Sequence, residues 1–295
     1  MLRTLNDLED YSIQATDGKI GQVTDFYFDD QRWVVRYLVV NTGGWLSERL
    51  VLISPISIGK PDWAKLVLPV SITREQVRNS PDVSTDQPVS RQDEIRHARH
   101  FGYPNYWEGN GFWGAYSYPA MMLGGFVPPL DEQQNPTDRW APSLEKAVTA
   151  LDSRPNGDPH LRSGKALTRY RIEASDGTLG HVQGFLVEED TWAVRYLIVA
   201  TSDWWLGHQV LIAPQWISEV SWPYHSISLN LTRQAIKDAP PYDSLLPLQR
   251  TQELGLHQHY GRIGYWSDRG GGGTADGGVS TNTSLPLKAS VSSAN

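Results

Sequence analysis

The sequence predicts a mainly β protein: two small β-barrels in tandem, each followed by short helices. Three observations carry that reading. First, the stretch Trp33 to Val40 (Trp-Val-Val-Arg-Tyr-Leu-Val-Val) recurs as Trp192 to Val199 (Trp-Ala-Val-Arg-Tyr-Leu-Ile-Val). Both are dense in the β-branched and aromatic residues that suit a pleated, half-buried surface. Second, adding 159 to a residue number carries residues 11–107 onto 170–266 without a gap, and about thirty of these positions are identical. Identity of that extent in one register marks a duplicated fold. Third, short apolar runs alternate with Gly, Pro and Asp turns, the rhythm of a small barrel.

The elements follow in order. Residues 1–10 read as an acidic lead-in. A strand from Tyr11 carries Ile13 and ends at Thr16-Asp17-Gly18, where Asp and Gly tolerate tight-turn geometry. Ile20 to Phe28 is a second strand, with Gly21 marking a bulge or close backbone approach. The polar turn Asp29-Asp30-Gln31-Arg32 leads into Trp33–Val40, and Asn41-Thr42-Gly43-Gly44 ends that strand. Further strands are expected at Leu50–Ile53, Ile56–Ile58 and Lys65–Val70. Thr73 caps a short helix that stops before Pro81, and Ser90 caps a longer one reaching His100. The second copy repeats this plan.

Four domain segments result: 1–107, a barrel with its helical tail; 108–165, a Gly-, Pro- and aromatic-rich linker; 166–266, the second barrel with its tail; and 267–295, a Gly/Ser/Thr-rich tail expected to be disordered. The linker's aromatics Phe112, Trp113, Tyr116 and Tyr118 and its Met121-Met122-Leu123 leave open that part of it packs on a barrel or binds a partner, and Ser143–Leu151 has the pattern of a short helix. Charge breaks the symmetry of the copies. Residues 11–107 hold 11 Lys/Arg and 11 Asp/Glu, whereas 170–266 hold 6 and 10.

Composition excludes several classes of function. The chain has no cysteine, which removes disulfides, thiol catalysis and Cys-ligated metals and suits a reducing cytoplasm. The first residues have no apolar core of a signal peptide, and no apolar run is long enough to span a bilayer. A net charge of −7 opposes nonspecific nucleic-acid binding. Walker, Rossmann, nucleophile-elbow and His-Glu-x-x-His patterns are lacking.

The motifs together resemble the PRC-barrel superfamily, the small barrel of the photosynthetic reaction-centre H subunit and of the C-terminus of the ribosome-maturation factor RimM. The matching residues are Asp17-Gly18-x-x-Gly21 with Val23 and Phe26, the strand Trp33–Val40, and Val51-Leu52-Ile53-Ser54-Pro55. Asp176-Gly177-x-x-Gly180, Trp192–Val199 and Val210-Leu211-Ile212-Ala213-Pro214 repeat them. The segments after each barrel look like the helical extension of standalone bacterial members. The resemblance implies a non-enzymatic module for protein interaction or assembly, without cofactor, cytoplasmic, and binding a protein partner. The alternative is a peripheral component of a photosynthetic or electron-transfer membrane complex, by analogy with the H subunit.

Candidate residues are few. Trp33, Trp45, Trp63, Trp192, Trp204 and Trp222 recur in pairs and are expected in the cores, where large rings bury area efficiently. Arg36 and Arg195 are charges inside apolar strands. They read either as partner sites or, preferably, as ion pairs with a turn carboxylate such as Asp17 or Asp176. Tyr106, Trp107, Tyr265 and Trp266 are interaction candidates. Glu94, His97 and His100, and Glu253, His257 and His259, have spacings that could hold a metal, but helix packing is the favoured reading and no metal is expected. The acidic turns Asp29-Asp30 and Glu188-Glu189-Asp190 read as solvated carboxylates, and Ser163-Gly164-Lys165 as linker.

Overall fold

The computed structural model describes residues 1–62, 64–82, 89–124, 160–201 and 208–267, with backbone alone at Asn6 and Asp10. Trp63, Trp204, the Ser143–Leu151 segment and the tail after Ser267 lie outside the described residues. The first half comprises β1 (Leu2–Thr4), β2 (Ser12–Ala15), β3 (Gly18–Asp29), β4 (Val34–Asn41), β5 (Leu50–Ile53), β6 (Val67–Pro69), α1 (Arg74–Arg78), α2 (Arg91–Phe101) and α3 (Ala120–Gly124). The second comprises β7 (Leu161–Ser163), α4 (Gly164–Leu167), β8 (Arg171–Ala174), β9 (Gly177–Glu188), β10 (Val194–Thr201), β11 (Gln209–Ile212), β12 (Ile217–Ser221), β13 (Ser226–Leu229), α5 (Arg233–Lys237) and α6 (Arg250–His259).

The protein is mainly β, as expected, but the ladders are open. One sheet runs β5-β4-β3-β2-β6 and the other β11-β10-β9-β8-β13-β12, without returning on themselves among the described residues. The expected strand Ile56–Ile58 explains the gap. Pro55–Ser57 forms a 3-10 turn capped by the Ser54 hydroxyl, and Pro214–Trp216 repeats the turn. Proline has no N–H to give a closing ladder.

Local choices hold each sheet. A Cβ on Gly21 would lie 1.9 Å from the Asn41 carbonyl oxygen, and one on Gly180 would lie 1.9 Å from that of Ala200. Only glycine lets these strands approach so closely. Thr73 and Ser90 close capping boxes at α1 and α2. Asp17 and Asp176 accept from the main-chain N–H of Arg74 and Arg233, both at 2.7 Å, and so pin the short helices to the hairpin turns.

The two repeats are not independent modules on a tether. β1 leaves its own sheet and pairs antiparallel with β9 of the other repeat, Leu2 opposite Glu188. β7 does the reciprocal, with Leu161 opposite Asp29 of β3. Both exchanges obey the offset of 159. Arg3 then pairs with Glu189 at the seam, and Arg162 with Asp30 at 2.8 Å. Gly164 follows β7 and packs its bare backbone on the Phe26 ring, which a Cβ would strike. Gly164 is thus a packed residue and not linker. Phe26 meets Phe185 edge-on at 5.3 Å. A single hydrophobic core runs through both repeats.

The turn before β4 completes the seam. Trp33 and Trp192 hold positive φ, 54° and 59°, an uncommon conformation for a bulky side chain. It aims each carbonyl at the other repeat. Trp33 accepts from Val194 N–H at 2.7 Å, and Trp192 accepts from Val35 N–H at 2.9 Å. The backbone strain, of order 1–3 kcal/mol per residue, recurs where the repeats clasp each other.

β4 is buried on both faces, which accounts for its unbroken apolar run. One face joins the common core. The other, with Tyr37 and Val39, lies with Tyr27, Leu52, Val89 and Leu161 in a second cluster.

Candidate interaction site at the seam

Arg36 stands in the middle of β4 with no exposed side-chain surface. Its partner is Asp29, at the end of β3, with Nη2 3.0 Å from Oδ2. The expected partner Asp17 is engaged elsewhere, on the Arg74 main chain. Asp29 is itself buried, which corrects its reading as a solvated turn carboxylate. A charge taken from water needs such a partner to offset desolvation. The hairpin geometry supplies one, because the residue seven back along the chain lies across the pair.

Rings cover the guanidinium. Its carbon lies 3.9 Å from the Tyr106 ring centroid and 4.8 Å from that of Trp113. Trp113 belongs to the segment read from sequence as linker, yet it is fully buried. The loop folds back on itself through Gly111 N–H to the Gly114 carbonyl at 2.8 Å and Trp113 N–H to the Tyr116 carbonyl at 2.9 Å. Arg32 clamps it, donating to the carbonyls of Gly111 at 2.6 Å and Gly109 at 2.7 Å. The Phe112 carbonyl accepts from Arg36 Nη1, and the Trp113 indole N–H donates to the Thr191 carbonyl of the second repeat at 2.8 Å. One loop therefore fastens both halves.

Arg195 repeats the ion pair with Glu188, itself buried and not a solvated turn acid. Glutamate is one methylene longer than aspartate, and Oε2 takes both Nε at 3.1 Å and Nη2 at 2.6 Å. Arg36 Nε, facing the shorter acid, is buried without a partner among the described residues. Tyr265 lies 4.1 Å from the Arg195 guanidinium carbon and Phe112 lies 5.1 Å from it. Adjacent rings of one dipeptide thus serve both arginines. Beside Arg195 opens a cavity of about 760 Å³, lined from both repeats and the loop by Arg32, Trp33, Phe112, Tyr118 and Tyr265 among others.

The helical tails dock through buried acids. Glu94 accepts from the Tyr106 hydroxyl and pairs with Arg91 at 3.1 Å. Burial outweighs both partners and raises its carboxyl to about 7. Glu253 accepts from Tyr265 at 2.9 Å and Tyr196 at 3.1 Å, and burial raises its carboxyl as well. His97 bonds the Leu52 carbonyl at 2.9 Å, and burial pushes its imidazole down to about 4. His257 meets the Tyr196 hydroxyl at 2.9 Å and the Ile263 carbonyl at 3.1 Å. His100 and His259 each bond the carbonyl of the short preceding helix, at Gln76 and Ala235, both at 2.7 Å. These Glu and His side chains join the helices to the sheets, with Glu253 and His257 meeting at the Tyr196 hydroxyl; no group of three metal-ligating residues occurs among the described residues.

The aromatic candidates divide. Tyr106 is buried, an internal lid and not a contact surface. Trp107 and Trp266 are half-buried and stack on Arg91 at 4.5 Å and Arg250 at 4.4 Å. Trp192 is in the core, whereas Trp33, Trp45 and Trp222 are half-buried at its rim. Their indoles are wide enough to cover the core edge while keeping one side toward solvent. Trp222 stacks under Arg162 at 4.2 Å, which ties it to the strand exchange. Sequence reasoning missed the buried roles of Asp29 and Glu188, and it named Phe112 and Trp113 only as linker aromatics that could pack on a barrel or bind a partner. It also missed β1, although Leu2-Arg3-Thr4 recurs at the same offset as Leu161-Arg162-Ser163.

Comparison with known proteins agrees with the fold. Residues 2–65 match the PRC-barrel domain family, so the chain carries a PRC-barrel domain in its first repeat. The second repeat carries the same core ladder at a constant offset. An uncharacterized protein of Deinococcus radiodurans is 32% identical over 74 residues, which is 25% of this chain and 26% of that relative. The match thus spans about a quarter of the relative's length. Among the described residues, no helix is long and apolar enough to cross a membrane.

Proposed function

We propose that the chain is a non-enzymatic assembly module: two PRC-type repeats clasped into a pseudo-dimer that presents one asymmetric seam to a protein partner. The observation that carries this is the fate of the clasp. The strand-exchange surfaces are spent on each other inside one chain. Each is self-complementary, as in a two-fold dimer. The 108–118 loop then breaks the symmetry: it seals Arg36 and leaves a recess open beside Arg195, while the recess across the seam is lined instead by Arg3, Pro55, Glu189, Asp190 and Trp192 among others. The arginines, acids and histidines that could have served chemistry are tied into packing.

The test is crosslinking of the full chain in its native cell, followed by mass spectrometry. Partner crosslinks should concentrate on Gln31, Ser117 and Gln215, around the recess. Crosslinks distributed evenly over the surface, or no partner enriched over an unrelated control chain, would overturn the reading.

A further inference from the structure

Resting on that reading, we propose that the recess beside Arg195 receives an acidic, aromatic-bearing peptide segment of the partner, whose oxygen atoms bind Arg195 and Arg32. The molecule contains a template for this. In the first repeat the chain's own Gly111-Phe112-Trp113-Gly114 lies on Arg36, giving a main-chain carbonyl to Nη1 and a ring to the guanidinium face. At the same offset, the second repeat has Gly270-Gly271-Gly272-Gly273, which offers no ring. The sequence thus gives Arg195 no counterpart of Trp113 from its own repeat; its ring neighbours are Tyr265 and, from the loop, Phe112.

Three features fit the occupant. Arg195 is 9% exposed and directs its two hydrogen bonds to Glu188 through Nε and Nη2, and among the described residues Nη1 has no counterpart of the Phe112 carbonyl that its twin meets. Arg32 also lines the recess, its guanidinium donates to two neutral carbonyls, and among the described residues it forms no ion pair. The lining contains no Asp or Glu, and Trp33 and Tyr118 give it aromatic walls. A cation without a counter-ion, set among rings, favours an anionic group next to an aromatic one. The volume, about 760 Å³, is that of a ligand pocket and holds a few residues of extended chain.

The probe is a fluorescein-labelled peptide, Glu-Gly-Phe-Trp-Gly amide, titrated into the full chain at low salt and followed by anisotropy. Saturable binding is expected. It should weaken at least about tenfold when the peptide's Glu is replaced by Lys, and about fivefold or more with Gln215→Glu, which sets a carboxylate in the recess. Gln215 is exposed, so that variant keeps its fold. Arg195→Gln should abolish binding; the Gln215 variant decides the matter if Arg195→Gln fails to fold. Equal binding of the acidic and basic peptides, or binding indifferent to Gln215→Glu, overturns the inference. A partner crosslinked elsewhere on the seam would defeat this inference and leave the assembly reading standing.

Discussion

Arg36 and Arg195 are the same residue of the same repeat, and their surroundings differ in two respects. Arg36 faces a short acid and is sealed by Trp113, with its Nε unpaired among the described residues. Arg195 faces a longer acid that takes two of its nitrogens, and it borders open space. A duplicated chain needs only one loop to break its symmetry, because a segment placed at the seam can serve both halves but can fill only one side. The first arginine is thereby a structural fastener and the second borders a recess.

That contrast sets the order of the expected effects. Trp113→Ala should cost about 3–5 kcal/mol of unfolding free energy in urea, since a fully buried indole and a bridge to Thr191 are lost. Phe112→Ala, at a half-buried ring, should cost about half as much. A smaller effect for Trp113→Ala than for Phe112→Ala would mean that the loop does not fasten the seam. Arg36→Met removes the cation paired with buried Asp29, leaving that carboxylate only the main-chain N–H groups of Gln31 and Arg32 among the described residues, and should cost about 3 kcal/mol or more. Arg195→Met should cost less, because Arg195 is 9% exposed and borders the recess, where water reaches the site, whereas Arg36 is sealed. Equal losses would erase the distinction between a sealed and an open arginine.

The buried acids and histidines sharpen the comparison through pH. Folding raises the Glu94 carboxyl from 4.5 to about 7, chiefly by burial, so the native state holds this proton more tightly than the unfolded chain. Its contribution is complete below the unfolded value and is lost as pH rises through about 7. His97 acts in the opposite sense. Its imidazole falls from 6.5 to about 4, and its contribution is present above the unfolded value and lost as pH falls through about 4. Between roughly pH 5 and 6.5 the two offset each other. Glu94→Gln removes one side, so the stability of that variant relative to wild type should improve from pH 5 to pH 7.5 in denaturant titrations. An unchanged difference would mean that Glu94 titrates normally. The smallest effect is expected at the half-exposed pair of Arg3 and Glu189, where Arg3→Gln should change stability by about 1 kcal/mol or less.

Much of the fold could be read from the residues because its signals are local. The capping boxes of Thr73 and Ser90, the close approach at Gly21 and the apolar run of β4 each depend on neighbours in sequence. The seam was less legible for a physical reason. A three-residue strand such as Leu2–Thr4 carries almost no pattern of its own, and its partner lies more than 180 residues away. Only its recurrence at the common offset betrays it. Asp29 sits in a polar turn, and nothing in the turn's composition says that an arginine seven residues later will be folded over it. The glycines around Phe112 and Trp113 read as linker, yet they permit the tight loop: a Cβ on Gly109 would lie 2.7 Å from the carbonyl carbon of Gly114.

Strand exchange is the claim on which the pseudo-dimer rests, and hydrogen exchange of an Arg3→Pro variant tests it most directly. Proline removes the N–H of the central residue of β1, whose partner is Val187. Protection should fall at Val187, opposite Arg3, and at Glu189, whose N–H donates to the Met1 carbonyl at 3.0 Å, and stay intact at Tyr27–Asp29 in the first repeat. Unchanged protection at Val187 and Glu189 would contradict the exchange.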